Sequence, residues 1–436
     1  MQPTSGAALF QLTSFPHPSP APSPLQRRRP PLLVCGRARI RARETVLDAQ
    51  TSDAGSAPEI AIVGAGVGGL AAAAALRKLG LRATIYEQAP AFGRVGAAIQ
   101  LTPNAMKVLR GLGIEDRVRA DSFSPDVGYN RDAYTAEITF LHPMGAETEA
   151  RYGAPDCSMH RATLHDALAA LVPAETIRFG RTLAGIEAGP GGSGVRLSFA
   201  DGAREDADLL IAADGIHSVV RRAMAGEETL TFTGQVAYRT VYRSDLLGRP
   251  IDDRVKWWGR DRHIVSYRID PRRDELYFIA SVPEPDFEIE SWSAMGEKDM
   301  LLAHYADFHP DARTILESAP EVRKWALAER DPLDAWTEGA AILIGDAAHP
   351  MLPYMAQGAG CAMEDAVVLA RCLTQAVDAG AGAEGLADAL KGAERLRLDR
   401  TTRIQLGAKA NKWMRTAADT HTDWVYGYDA WATPID

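Results

Sequence analysis

The sequence predicts an α/β protein in three parts: a Rossmann-like dinucleotide-binding domain, an antiparallel β-sheet domain inserted into it, and a C-terminal helical segment. Three observations lead there. From Glu59 a short apolar strand, a glycine turn and an alanine-rich helix come in succession. Between Thr229 and Pro285, segments of alternating apolar and polar residues, rich in aromatics and bounded by Gly, Pro and Asp, read as antiparallel strands. Near the C-terminus, "AERLRLDRTTRIQLGAKANKWM" carries helical periodicity.

Size and charge set the limits. A chain of 436 residues can bury one large core or two. The formal net charge of −9 gives no support for a nucleic-acid partner, which needs a basic face. No apolar run reaches the ~18 residues of a membrane span. Cys35, Cys157, Cys361 and Cys372 form no CxxC pair, so no metal site and no disulfide framework is expected. Cys361 and Cys372, in apolar helical context, read as buried free thiols.

Residues 1–57 are set apart. Seven arginines precede the first acid, Glu44, amid Pro and Ser, a composition that cannot bury a core and is expected to be disordered. Two origins stay open for it, an organelle transit peptide or an upstream start codon read through. The expected location is cytoplasmic in the second case and organellar in the first. Beyond it the expected organisation is 58–125, 156–230 and 330–395 for the nucleotide-binding domain and 126–155 with 231–329 for the β-sheet domain. Residues 396–436 then form the C-terminal helix and tail.

Order begins with "EIAIVGAGVGGLAAAAALRKLGLRATIYEQ". Gly64, Gly66 and Gly69 fit GxGxxG. Gly64 permits the tight turn, Gly66 lets the backbone approach a pyrophosphate, and Gly69 lets helix and strand pack closely. The helix start then offers free N–H groups and a partial positive charge to phosphates. Glu87 closes the second strand 18 residues past Gly69, placed to accept hydrogen bonds from a ribose. Beyond Glu87 the chain does not continue as the run of βα units of an NAD dehydrogenase. A loop with Gly96, Ala97 and Ala98 leads into a helix opening at Pro103, and Arg161 stands just before another helix. An apolar strand ends in Asp214-Gly215, and the strand "AAILIGD" delivers Asp346 into a Pro- and Gly-rich loop running to Gly360.

This set of motifs resembles the single-component FAD-dependent aromatic hydroxylases, the p-hydroxybenzoate and salicylate hydroxylase-like family, from about Glu59 to the C-terminus. The resemblance implies a flavin-dependent monooxygenase with bound FAD, and NADH or NADPH and O2 as co-substrates. It implies FAD contacts at Gly64, Gly66, Gly68, Gly69, Glu87, Gln88, Gln100, Arg161, Asp214, Asp346, Gly358, Ala359 and Gly360. Arg161 would contact the flavin and Asp346 its ribityl chain, with Gly358 to Gly360 against the pyrimidine edge of the ring. A helix N-terminus there suits the anionic reduced flavin. Plainer alternatives stand beside these roles. Asp214 fits a helix cap, His349 a turn residue bonded to backbone, and Glu364 and Asp365 the acids of an opening helical turn.

The inserted sheet would roof the flavin and wall an aromatic substrate pocket, although Trp257, Trp258 and Tyr267 taken alone read as sheet core. "VKWWGRDRHIVSY" and the tail "DWVYGYD" most resemble the branch of the family that hydroxylates a pyridine ring and removes a carboxylate. By that resemblance Tyr267 is the proton acceptor and His263 its pocket companion. The two are four apart on a strand and share a face, so His263 is a candidate neighbour to tune the Tyr267 phenol. Tyr238, Pro353, Tyr354 and Arg254 are the other expected pocket residues. Gln100 and Tyr354 stand where that branch has histidines, and Arg254 where it has a smaller residue. Arg254 is a candidate carboxylate partner, with a solvated surface charge as its alternative. The expected substrate is a hydroxylated aromatic or N-heteroaromatic carboxylic acid, oxygenated by way of a flavin C4a-hydroperoxide with or without loss of CO2. A non-decarboxylating phenol hydroxylase, an organellar epoxidase of the same family and a flavin-binding regulator without chemistry are the alternatives. Oligomeric state, with a homodimer as the candidate, and the choice of NADH or NADPH are left open.

Overall fold

A computed structural model of the chain describes residues 57–93, 97–227, 230–287, 294–412, 415–416 and 421–436. Cys35, Gly96 and, except for its last residue, the 1–57 extension lie outside the described residues. The strand that opens the ordered chain, Ile60–Val63, is buried along its whole length. It pairs in parallel with Ala83–Glu87 on one side and Leu209–Ala212 on the other. Ala341–Leu343 and Ile177–Phe179 extend the sheet in parallel, and Thr337–Glu338 caps one edge as an antiparallel hairpin. Short, wholly apolar strands are what a parallel sheet covered on both faces requires.

The alanine run explains one covering layer. Helix Val67–Lys78 packs against helix Gly358–Asp378, and small side chains let the two approach. A Cβ on Gly68 would meet the Cβ of Ala362 at 3.4 Å. This contact joins the first motif to the last. Helix Ala383–Ala410 lies against Gly358–Asp378 in turn.

The second large sheet has eight strands. In order they are Ala294–Met295, Arg323–Glu329, Thr231–Arg243, Glu275–Pro283, His263–Arg268, Arg254–Trp258, Val127–Asp132 and Ile138–Pro143. Neighbours run antiparallel except Arg254–Trp258 with Val127–Asp132, which run parallel because a long excursion through the first domain separates them. One face buries Val236, Tyr238, Ile264, Phe278 and Ala280 against helices Lys298–His304 and Pro310–Glu317. The other face, offset by one residue along each strand, looks into a cavity. The fold is thus a Rossmann-like α/β domain with an inserted β-sheet and a C-terminal helical segment.

Candidate active site

A cavity of about 580 Å³ lies between the glycine loop, the Gly345–Gln357 loop and the free face of the eight-stranded sheet. Two helix starts open into it. Gly66 and Gly68 line it at the start of Val67–Lys78, and Gly358 and Ala359 at the start of Gly358–Asp378. Neither helix has a side-chain cap or an acid in its first turn, so both present first-turn N–H donors and positive dipole ends to a ligand. A Cβ on Gly66 would meet nothing within 4 Å, leaving room for a ligand on that side. Arg161, Gln100 and the exposed carboxylate of Asp346 also line the space. Two anion-seeking ends, a polyol-binding acid and space for a planar ring fit a flavin dinucleotide.

Other expected FAD residues stand behind this surface. Gly64 has φ +96°, and a Cβ there would lie 2.4 Å from the Ala213 carbonyl oxygen. A Cβ on Gly69 would lie 1.9 Å from the Gly64 carbonyl oxygen. Both glycines shape the loop without lining the cavity. Glu87 accepts from the Ala65 and Ala89 backbone N–H groups at 2.8 Å, so it braces the loop, and Gln88 is exposed at the outer end of the strand. Asp214 accepts from Val219 N–H at 2.8 Å, taking a first-turn donor of helix Val219–Ala225, whose N-cap is Ser218. Gly360 packs toward Asn104 and Gln357.

On the sheet side, His263, Val265 and Tyr267 line the cavity from one strand, and Arg254 and Lys256 from the next. Arg254 pairs directly across from Tyr267, and Trp258 across from His263. Arg254 donates to Asp156 at 2.6 Å and to Gln100 at 3.1 Å. Its side chain is 16% exposed and that of Asp156 is wholly buried, so Arg254 is not a solvated surface charge. Burial works against its charge, but Asp156 beside it holds the guanidinium above its usual value. Burial also lifts the Asp156 carboxyl against the pull of Arg254. Arginine does not deprotonate in proteins, so the two stand as an ion pair.

Tyr267 and His263 share a face, as alternation requires, but they are not partners. Four residues of strand separate them by about 13 Å, with Val265 between. The cations that act on Tyr267 are Arg254 and Arg239. Burial and the neighbouring Tyr277 outweigh them and raise the phenol well above 10. His263 lies with its ring 5.2 Å from Trp258 and 5.4 Å from Tyr354. Burial, with Lys256 and Arg415 nearby, lowers its pKa well below 6.5, so its imidazole is neutral. Pro353 and Tyr354 line the same cavity.

Tyr238 does not line it. It is wholly buried in the opposite face and donates to Glu284 at 2.8 Å. Its neighbours Ala237 and Arg239 are the ones that reach the cavity. The one-residue parity of a strand decides this. Arg239 was missed for the same reason. It holds its guanidinium 3.6 Å over the Trp325 ring. Lys256 was missed although "RVKWW" places it on one face with Arg254 and Trp258. Asp156, which bonds Arg254, carries no local signal, and Tyr426, also at this wall, lies in the "DWVYGYD" tail without having been singled out.

Behind the loop lies a second buried cluster. His349 bonds Asp365 through Nε2 at 2.6 Å, and Arg397 reaches Asp365 at 2.8 Å and Glu364 at 2.7 Å. Arg400 adds a contact to Glu364 at 2.9 Å, and Asn104 donates to Glu364 at 2.6 Å. His349 is therefore paired with a carboxylate, not with backbone. Glu364 and Asp365 lie inside the helix beyond its first turn, and this part of the Arg-rich C-terminal helix is buried, not solvated. Burial opposes ionisation of Asp365, yet His349 and Arg397 bring its pKa down to about 2.

The geometry fits a flavoprotein whose dinucleotide would lie between a glycine loop and a late helix, facing a polar, aromatic wall. The model of the FAD binding domain family matches residues 58–402. The 6-hydroxynicotinate 3-monooxygenase of Bordetella bronchiseptica is 40% identical, over 87% of this chain and 97% of that one. The 3-amino-4-hydroxybenzoate 2-monooxygenase of Streptomyces cremeus is 37% identical, over 85% and 95%. A salicylate hydroxylase solved with its substrate aligns with a TM-score of 0.75 at 25% identity, over 86% and 96%. The chain belongs to the FAD-binding family of single-component aromatic hydroxylases. It is a flavin-dependent monooxygenase, with FAD as cofactor and NADH or NADPH and O2 as co-substrates.

Proposed function

We propose that the protein hydroxylates a ring-hydroxylated aromatic or N-heteroaromatic carboxylic acid, a hydroxypyridine carboxylate or hydroxybenzoate, and releases CO2 where the attacked carbon bears the carboxylate. The observation that carries this reading is the Arg254–Tyr267 pair on the cavity wall, a guanidinium beside a phenol. The bound flavin supplies activated oxygen drawn from O2. The wall's task is to make the ring electron-rich. A guanidinium near the ring oxygen favours its anionic form, and Tyr267, kept as a phenol by burial, donates a hydrogen bond to that oxygen. This assigns Tyr267 as a donor to the developing phenolate in place of a resident base. Tyr354 and Gln100 can hold polar substituents without carrying charge, which separates this pocket from one built on histidines.

The 6-hydroxynicotinate and hydroxybenzoate monooxygenases among its relatives support the substrate class. The activity is placed in the cytoplasm, or in an organelle where residues 1–57 act as a transit peptide. The test is NAD(P)H oxidation and O2 uptake by the holoenzyme across hydroxypyridine carboxylates and hydroxybenzoates, with carboxyl-labelled substrate to follow CO2. At least one acid should accelerate flavin reduction severalfold; no acceleration by any of them removes the reading. Tyr267→Phe should lower turnover by ~10²-fold or more and leave ligand affinity within a small factor. Unchanged, fully coupled turnover takes Tyr267 out of the mechanism.

A further inference from the structure

We infer that Lys256 receives the carboxylate of the substrate, and that the acid binds together with a proton taken up by the enzyme. The inference rests on the aromatic-acid reading above and concerns which residue of the wall reads the acid group.

Besides Arg161 on the side assigned to the flavin, the sheet wall of the cavity offers Arg239, Arg254 and Lys256 as cations, and they are not equivalent. Arg254 already has a carboxylate, Asp156, at 2.6 Å and a second acceptor in Gln100. Arg239 lies two strands from Tyr267, beyond the Glu275–Pro283 strand, with its guanidinium over the Trp325 ring and bonded to Tyr277. Lys256 makes no hydrogen bond or ion pair among the described residues. Its ammonium sits 3.8 Å from the centre of the Trp258 ring, a contact that replaces little of the lost hydration.

The groups around Lys256 are Arg254 on its own strand, His263 on the neighbouring strand, Arg415 before the tail and Asn130 on the parallel strand opposite. None is an acid. Burial, and then Arg415 and Arg254, lower the lysine to about 7. An ammonium so placed lacks only an anion. A carboxylate entering from the cavity restores the charged form, and the proton comes from solvent at any pH where the free lysine has lost it.

Spacing agrees. Lys256 stands across from Val265, one strand repeat from the Arg254–Tyr267 row. That repeat is about 7 Å, close to the reach of a six-membered ring between substituents on opposite carbons. A ligand with its ring oxygen at Tyr267 and a carboxylate opposite would bring the acid to Lys256.

The test uses the holoenzyme with two probes, 6-hydroxynicotinate and its neutral amide, which differ only in the acid group. Affinity is read from the flavin absorbance change at pH 8. Proton uptake is read by calorimetry in two buffers of different ionisation enthalpy. The wild-type protein should bind the acid more tightly than the amide and take up close to one proton more with it. Lys256→Met should weaken the acid roughly 10- to 100-fold, leave the amide unchanged and abolish the extra proton. Lys256→Arg, charged at every pH, should recover acid affinity without proton uptake. Lys256→Gln serves if the Met variant does not fold. Equal weakening of both probes, or an extra proton that survives in Lys256→Met, overturns the assignment and leaves the substrate class intact. If neither probe nor any other aromatic acid perturbs the wild-type flavin, the substrate class falls and the assignment with it.

Discussion

The protein buries two clusters of charge, and they are built on opposite rules. Behind the Gly345–Gln357 loop, Arg397 and Arg400 are matched by Glu364 and Asp365, with His349 and Asn104 taking further bonds. On the cavity wall, Arg254 alone has an acid partner, while Lys256 and Arg239 lean on indole rings. A closed cluster holds elements in register; an open one waits for a ligand to complete it. The first ties the loop that carries Asp346 to the C-terminal helix. The second leaves the substrate side short of negative charge. In a buried setting that shortage is costly unless something anionic enters.

The contrast can be broken most sharply by truncation. Arg397→Met removes the buried guanidinium shared by Glu364 and Asp365 and should lower unfolding free energy by ~3–5 kcal/mol, measured by denaturant unfolding of the holoprotein. Lys256→Met should do the reverse. The lysine's folded pKa is lowered, from 10.5 to about 7, so the folded state carries the cost of its charge in full below pH 7. The variant's advantage over wild type should therefore be largest there and fade as pH rises toward 10. Matching losses in the two variants would erase the distinction between the clusters.

Acid gives a smaller effect. Asp365 titrates at about 2 when folded against an ordinary 3.8, so its stabilisation is complete above pH 4 and drains away as pH falls toward 2. The slope between those values should amount to about 2 kcal/mol and should flatten in Asp365→Asn; an identical slope in that variant would place the acid sensitivity elsewhere. The smallest change is on the far face of the sheet. Tyr238→Phe loses one hydrogen bond to Glu284, worth about 1 kcal/mol, and should leave steady-state turnover unaltered. A fall in turnover would mean the cavity reaches through the sheet.

The open cluster was only half legible in the sequence. Arg254, His263 and Tyr267 are reached through the resemblance of "VKWWGRDRHIVSY" to the pyridine-hydroxylating branch, and alternation adds only that His263 and Tyr267 share a face. Tyr238 and Arg239 are adjacent on one strand, where a shift of one residue reverses which face a side chain occupies. Asp156 lies nearly a hundred residues from Arg254, and nothing local announces it. The same holds for the closed cluster. Glu364 and Asp365 read as acids of an opening turn until a helix from the C-terminus brings arginines over them. The α/β core was readable earlier because a glycine turn, an alanine helix and short apolar strands each specify their own neighbours.

The central strand Ile60–Val63 has its two sheet neighbours from residues 83–87 and 209–212, and the next strand beyond comes from 341–343. Such distant pairings make closure slow compared with local structure. On a ribosome the first strand and its glycine turn emerge long before the segment that completes the opposite side of the flavin's berth. Until about residue 360 has left the tunnel, the nascent chain has no finished seat for its prosthetic group and exposes strands made for burial. Loading with flavin is therefore a late event in biogenesis, and truncation ahead of that point should yield aggregation, not a colourless but folded enzyme.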